Sequence, residues 1–196
     1  MNKDNKPLRI GVAGCGGRMG RMVVQELKSG AHGDDVQLVG GTILDGDTPP
    51  EGIFYTTDVQ ELYERADALI DFTSPQTIPN HAMLATTQKK VLVVGTSGLT
   101  RDDEDILCTA AGEAQIVYAA NMSLGVNLLL GLAKRAASVL GKGWDAEILD
   151  VHHKHKVDAP SGTSYALAKA VADGRGERNA NLVLSREGFT GARQEG

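Results

Sequence analysis

The sequence predicts an α/β protein: a parallel sheet covered by helices, followed by a smaller and incomplete α+β domain. Three observations carry that expectation. Short apolar runs rich in Val, Ile and Leu recur through the first two-thirds of the chain, separated by longer amphipathic segments. A glycine-rich turn at residues 14–20 joins the first of these runs to the first helical segment. After Tyr118 the character changes to a long helical stretch, a strand-like run, a basic cluster and another helix start. Strands apolar on both faces and alternating with helices mark a buried parallel sheet, with right-handed crossovers between strands.

The elements follow in order. Residues 8–13 read as the first strand, and residues 18–29 as a helix with Met19, Met22, Val23 and Leu27 on one face. Residues 36–42 form a second strand, and Gly46 to Gly52, with Pro49 and Pro50, a surface loop. A short helix at 58–65 precedes a third strand at 68–72. Pro75 opens the next helix, where proline lacks nothing the helix needs. Residues 91–94 are a fourth strand, 102–112 a helix with acids in its first turn, and 115–118 a fifth strand. In the second part, residues 123–140 read as a long helix capped by Ser123 and ended by Gly141 to Gly143. Residues 146–151 read as a strand, 159–172 as a region opening a helix, and 182–184 as a further strand. The domain boundary is expected near Asn121, giving 1–121 and 122–196.

Composition narrows the function classes. The chain has 196 residues, 41% hydrophobic and 23% charged, which suits one large domain, or one domain and part of a second. A net charge of -5 argues against nucleic acid or an anionic membrane surface as the main partner. Cys15 and Cys108 stand far apart, with neither disulfide-framework nor metal-type spacing. The polar start lacks the apolar stretch of a signal peptide, and no run approaches the ~20 apolar residues of a membrane span. A cytoplasmic protein is expected.

The glycine turn Gly14-Cys15-Gly16-Gly17-Arg18-Met19-Gly20 lies between first strand and first helix. Small residues there let a pyrophosphate reach the free N–H groups and positive dipole of the helix start. The first domain is thus expected to be Rossmann-like. The ribose of such a cofactor is usually gripped by an acid at the end of the second strand. Ile43 and Leu44 occupy that place here, and Asp45 is the nearest carboxylate. Arg18 and Arg21 would either meet a 2′-phosphate or lie solvated on the surface. NADH and NADPH both stay open.

The basic run His152-His153-Lys154-His155-Lys156 stands out in an acidic chain. It reads as a solvated loop, a metal site or a catalytic anion site. Spacing supports no metal, for want of a Cys or an evident third ligand. A catalytic anion site needs a proton donor, which His or a Lys among cations supplies, and groups to hold the anion. Ser161, Gly162 and Thr163 offer hydroxyls and N–H groups at a helix start.

The seventeen-residue stretch Glu147-Ile148-Leu149-Asp150-Val151-His152-His153-Lys154-His155-Lys156-Val157-Asp158-Ala159-Pro160-Ser161-Gly162-Thr163 closely resembles the signature of the 4-hydroxy-tetrahydrodipicolinate reductase family, long called dihydrodipicolinate reductase. The glycine turn, Ile70-Asp71-Phe72-Thr73, Val94-Gly95-Thr96-Ser97-Gly98, the segment from Tyr118 to Asn127 and that from Ser185 to Gly191 follow in the family's order. The resemblance implies an NAD(P)H-dependent oxidoreductase of lysine and diaminopimelate biosynthesis acting on a small dicarboxylate. It implies His152 as acid/base residue, Lys156 as proton donor, and His153, Ser161, Gly162 and Thr163 around the substrate. Gly14, Cys15, Gly16, Gly17, Arg18 and Met19 would hold the pyrophosphate, with Asp45 toward the adenosine. Gly95, Thr96 and Ser97 would lie near the nicotinamide, and Ala119, Ala120, Asn121 and Met122 would line the cofactor. The family is usually a homotetramer built through the sheet of its C-terminal region. The chain stops at Gly196, so that region is expected to be lacking, and a catalytically incompetent nucleotide-binding remnant is the alternative.

Overall fold

Successive side chains of a strand point to opposite faces, and β1 (Leu8–Ala13) shows the consequence. Val12 joins one apolar cluster and Ala13 another, and both are fully buried. Helices therefore pack on both sides of this strand. The structure, a computed structural model, describes residues 6–119, 121–154, 156, 159–177, 183–184 and 191. The chain divides into two units, Met1–Ala120 and Asn121–Gly196.

The first unit is built on a six-stranded sheet. After β1 come β2 (Val36–Thr42), β3 (Tyr55–Thr56), β4 (Ala68–Asp71), β5 (Val91–Val94) and β6 (Gln115–Tyr118). Their order is β3-β2-β1-β4-β5-β6, and every neighbouring pair is parallel. On one face α1 (Arg18–Lys28) packs Val24, Val23 and Leu27 with Val12 and Cys15. On the other, α2 (Val59–Arg65), α3 (Ile78–Gln88) and α4 (Arg101–Ala110) close Leu62, Tyr63, Ile78, Ala82, Ala85 and Leu107 over Leu69, Leu92 and Val94. Local signals set the helix starts: Asp58 accepts from Gln60 N at 2.8 Å, and Thr100 and Asp103 form a capping box.

Four details differ from the sequence reading. The buried stripe of α1 is Gly20, Val23, Val24 and Leu27, while Met19 and Met22 are exposed. Close approach of Gly20 to the glycine turn rolls the helix to that face. β3 was not anticipated: two residues are too few for a period, yet they pair with Gly41 and Thr42. Pro75 opens a short 3-10 turn, Pro75–Thr77, ahead of α3. Finally, β5 buries alternate residues only, β6 half-buries alternate residues, and Val117 is exposed, so the α1 side of these strands is half-covered among the described residues.

The second unit holds α5 (Leu124–Leu140) and α6 (Gly162–Gly174). Ser123 caps α5 as expected, accepting from Val126 N at 3.4 Å. The two helices meet through small residues: a Cβ at Gly174 would lie 2.2 Å from the Lys134 carbonyl oxygen, and Ala137 is buried beside it. The predicted strand at 146–151 is not formed. A strand needs a neighbour for its backbone groups, and none pairs with it among the described residues; Leu149 and Val151 are exposed. The expected strand at 182–184 lies in part outside the described residues, and Val183 and Leu184 are not in a strand.

Candidate functional site

The sheet order reverses at β1, which has β2 on one side and β4 on the other. Ligands of open parallel sheets bind outside the strands' carboxyl ends at such a switch point. The glycine turn stands there. Gly14 adopts φ +75°, and a Cβ on it would lie 2.7 Å from the Phe72 carbonyl oxygen. Its N–H donates to the Thr42 hydroxyl at 3.1 Å, and Cys15 N to the Thr42 carbonyl at 2.9 Å. Gly17 N donates to Gly14 O at 3.0 Å. Gly17 is also the N-cap of α1 and brings no side chain to it, whereas α2, α4, α5 and α6 all have side-chain caps. No acid stands in the first turn of α1. The helix start thus keeps orphan amides beside a turn clenched enough for close backbone approach, which fits a pyrophosphate.

Around this turn, Arg18 and Met19 are exposed. Arg21, open in the sequence between phosphate ligand and surface group, clamps backbone instead: Nε donates to Gly16 O at 2.9 Å and a terminal nitrogen to Thr48 O. Asp45 is exposed, and Leu44 is 76% exposed. Asp47 leans on the turn, its Oδ2 3.2 Å from where a Gly16 Cβ would stand.

Past β4 and β5 the chain turns tightly. Gly95 N donates to Asp71 O at 2.8 Å, and a Cβ on Gly95 would meet the Phe72 ring at 2.2 Å. Thr96 is buried, and its hydroxyl points inward, donating to Asp71 Oδ1 at 3.1 Å and accepting from Thr73 N at 3.0 Å. Only its backbone is left for a ligand. Ser97 is exposed and Ala119 half-buried; Ala120 lies outside the described residues. Burial would raise the Asp71 carboxyl, but the hydrogen bond and charge of His81, with the Thr73 bonds, hold it below the usual carboxylate range.

In the second unit, Asn121 Oδ1 accepts from Ser123 N at 2.8 Å, which ties it to the start of α5, and Met122 is exposed. The basic segment is organised by Asp150. Its carboxylate accepts from Ser161 N at 2.7 Å, from the Ser161 hydroxyl at 3.2 Å and from His152 Nε2. The Ser161 amide is the largest cause that holds this carboxyl below its usual range. Ser161 itself caps α6, accepting from Ser164 N at 3.2 Å, and is buried. Gly162 and Thr163 begin the helix, exposed and half-buried. Lys156 N donates to His153 O at 3.1 Å in a turn that leaves Lys156 half-buried. His155 lies outside the described residues. Among the described residues no group of three His, Cys, Asp or Glu could hold a metal. The structure thus joins His152 and Ser161 through Asp150, a residue to which the sequence alone assigns no role. The roles of Thr42, Asp71 and His81 were missed as well; the one signal was an acid closing an apolar strand.

Such a sheet, with an amide-lined glycine turn at its switch point, defines a Rossmann-like, dinucleotide-binding protein. The family model described as Dihydrodipicolinate reductase, N-terminus, matches residues 8–122, and that described as Dihydrodipicolinate reductase, C-terminus, matches residues 125–195. The chain belongs to the dihydrodipicolinate reductase family. The expectation that the C-terminal region is lacking is corrected in part: the family model of that region matches residues 125–195, and the chain spans about three quarters of the length of the curated relatives it matches. The chain is 42% identical to the 4-hydroxy-tetrahydrodipicolinate reductase of Parvibaculum lavamentivorans, over 96% of this chain and 74% of the relative. It is 36% identical to that of Psychrobacter arcticus, over 99% of this chain and 73% of the relative. Among solved structures, a dipicolinate-bound dihydrodipicolinate reductase from a Paenisporosarcina species superposes with a TM-score of 0.68 at 25% identity, covering 95% of this chain and 74% of that one.

Proposed function

We propose that the chain reduces 4-hydroxy-tetrahydrodipicolinate to tetrahydrodipicolinate with NADH or NADPH, on the route to diaminopimelate and lysine. The observation that carries this reading is the bare glycine-capped start of α1 at the switch point, in a chain that matches the family through residue 195. Residues 1–121 serve the nucleotide and 122–196 the substrate. The backbone of Gly14, Cys15, Gly16, Gly17, Arg18 and Met19 holds the pyrophosphate, and Asp45 serves the adenosine end. Gly95, Thr96 and Ser97 seat the nicotinamide side, with Ala119, Ala120, Asn121 and Met122 lining the cofactor. The reduced nicotinamide, when bound, supplies the hydride.

This chain's own residues manage the carboxylates and the protons. Asp150 holds His152 by Nε2, which leaves Nδ1 to exchange a proton with the substrate. The substrate's 4-hydroxyl leaves as water, hydride takes its place in the ring, and Lys156 delivers the proton that balances the reduction, while His153 donates a hydrogen bond to a carboxylate. The Ser161 amide is taken by Asp150, so the first free amides of α6, at Gly162 and Thr163, receive the other carboxylate while Ser161 shapes the helix start. The biosynthetic role supports a cytoplasmic location, and the C-terminal family match supports a homotetramer.

The test is to mix the chain with NADH or NADPH and freshly generated substrate and follow the reduced cofactor's absorbance. Oxidation that needs the substrate is expected; none with either cofactor refutes the reading. Lys156→Ala should lower turnover by about 100-fold or more, the size of a lost general acid, while cofactor affinity stays within about twofold. Unchanged turnover would remove Lys156 from the chemistry.

A further inference from the structure

Asp71 ends β4 at the carboxyl edge of the sheet and is wholly buried. A buried carboxylate is tolerated only when its oxygens are satisfied. Oδ2 lies 2.7 Å from His81 Nδ1 on α3. Oδ1 accepts from Thr73 N at 2.9 Å, from the Thr73 hydroxyl at 2.5 Å and from the Thr96 hydroxyl at 3.1 Å. Thr73 N is shared with the Thr96 hydroxyl at 3.0 Å, which closes a triangle. His81 is buried in turn, and its carbonyl accepts from the Tyr63 hydroxyl at 3.1 Å. His81 from α3 and Tyr63 from α2 are the titratable groups facing this carboxylate among the described residues. Burial, with the Asp71 charge, raises the Tyr63 hydroxyl and keeps it a neutral donor.

An apolar pair would fill a core at least as well. This pair sits at the ligand edge, and the bonds of Oδ1 end on the turn after β4 and the turn after β5. We propose that His81 and Asp71 are a positioning dyad for the cofactor: His81 orients the carboxylate, and the carboxylate sets the backbone of Thr73 and Thr96 that seats the nicotinamide end. The proposal rests on the dinucleotide reading above. Neither residue touches the cofactor; both act through the two turns.

The dyad is tested with His81→Leu, which removes the donor, and His81→Asn, whose side-chain amide keeps one near the Nδ1 position. Three quantities are read: amide hydrogen exchange at Thr73 in the cofactor-free protein, NADH affinity by fluorescence, and the split of KM for NADH against kcat. His81→Leu should speed Thr73 exchange at least tenfold and weaken NADH binding and KM at least fivefold, with a smaller change in kcat. His81→Asn should restore most of both. A folded His81→Leu whose exchange, affinity and KM stay within twofold of the parent overturns the dyad, as does His81→Asn no better than Leu. If His81→Leu does not fold, Thr96→Val against Thr96→Ser decides: weaker NADH binding in Val and recovery in Ser support it, and parent-like binding in both overturns it. Exchange and affinity need no turnover, so a parent without reductase activity would sink the functional reading and leave this test standing.

Discussion

Gly20 is where the cofactor cradle and the helix core meet, so Gly20→Ala is the most telling single change. A Cβ there would lie 2.0 Å from the Gly14 carbonyl oxygen and 2.7 Å from the Cys15 Cα, both backbone atoms that cannot swing aside. Ordinary contact begins at 3.4 Å, so the start of α1 and the glycine turn must part by about 1.4 Å (3.4 minus 2.0). Alanine gains about 1 kcal/mol of helix propensity over glycine at an interior position. Overpacking of a close contact costs about 1–3 kcal/mol. The net should be a loss of up to about 2 kcal/mol of stability, read as a fall of several degrees in Tm. The larger effect falls on the ligand. Moving the orphan amides by more than 1 Å breaks hydrogen bonds to an anion, each worth about 1.5–3 kcal/mol, so losing one weakens NADH by tenfold or more. Fluorescence titration of NADH and thermal unfolding measure both. A variant with the parent's affinity and Tm would mean that the turn yields freely, and the rigid-cradle argument would fail.

Other predictions follow from the remaining geometry. Asp150→Asn keeps the size of the group but loses the charged acceptor for His152 and Ser161; kcat should fall about tenfold or more and its pH profile shift, with NADH affinity unchanged, and an unaltered profile would deny Asp150 its hold on the imidazole. Ser161→Ala removes the cap of α6 and should cost about 1 kcal/mol of stability in the second unit, checked by denaturant unfolding. The Asp71 carboxyl is depressed in the folded state, so its contribution is complete above the ordinary carboxylate range and is lost as pH falls through the folded value. Asp71→Asn lacks that titration; the Tm gap between parent and variant should be widest near neutrality and close in acid, and a gap constant with pH would contradict the assignment.

Much of the first unit was legible because its strands are apolar and its punctuation is strong. β1, β2, β5 and β6 fall where Val, Ile and Leu runs place them, and Ser123, Pro75 and the glycine turn mark boundaries that chain geometry enforces. What escaped depends on contacts distant in sequence. β3 exists because Gly41 and Thr42 offer backbone partners to Tyr55 and Thr56, which no local period reveals. The exposed side of Met19 and Met22 follows from Gly20 abutting Gly14 and Cys15, a packing fact that outranks the apolar count of the helix. The segment at 146–151 has a strand's composition and no strand beside it among the described residues, so β propensity alone did not make it one.

The same distinction governs the candidate site. Residues with a chemical signature, such as His152 and the glycines, could be picked out one by one. Residues that position others could not, because Asp71 reads as an ordinary polar end to a strand and Asp150 as one acid among many. Their meaning appears only when a carboxylate is found accepting from groups on separate stretches of chain: Thr73, Thr96 and His81 for one, His152 and Ser161 for the other. Both carboxylates hold a histidine and a turn at once, and both are held below the usual carboxylate range by the bonds that do so. A carboxylate that stays charged keeps its donors fixed while protons move elsewhere, which is what the proposed roles of aiming the cofactor and the acid require.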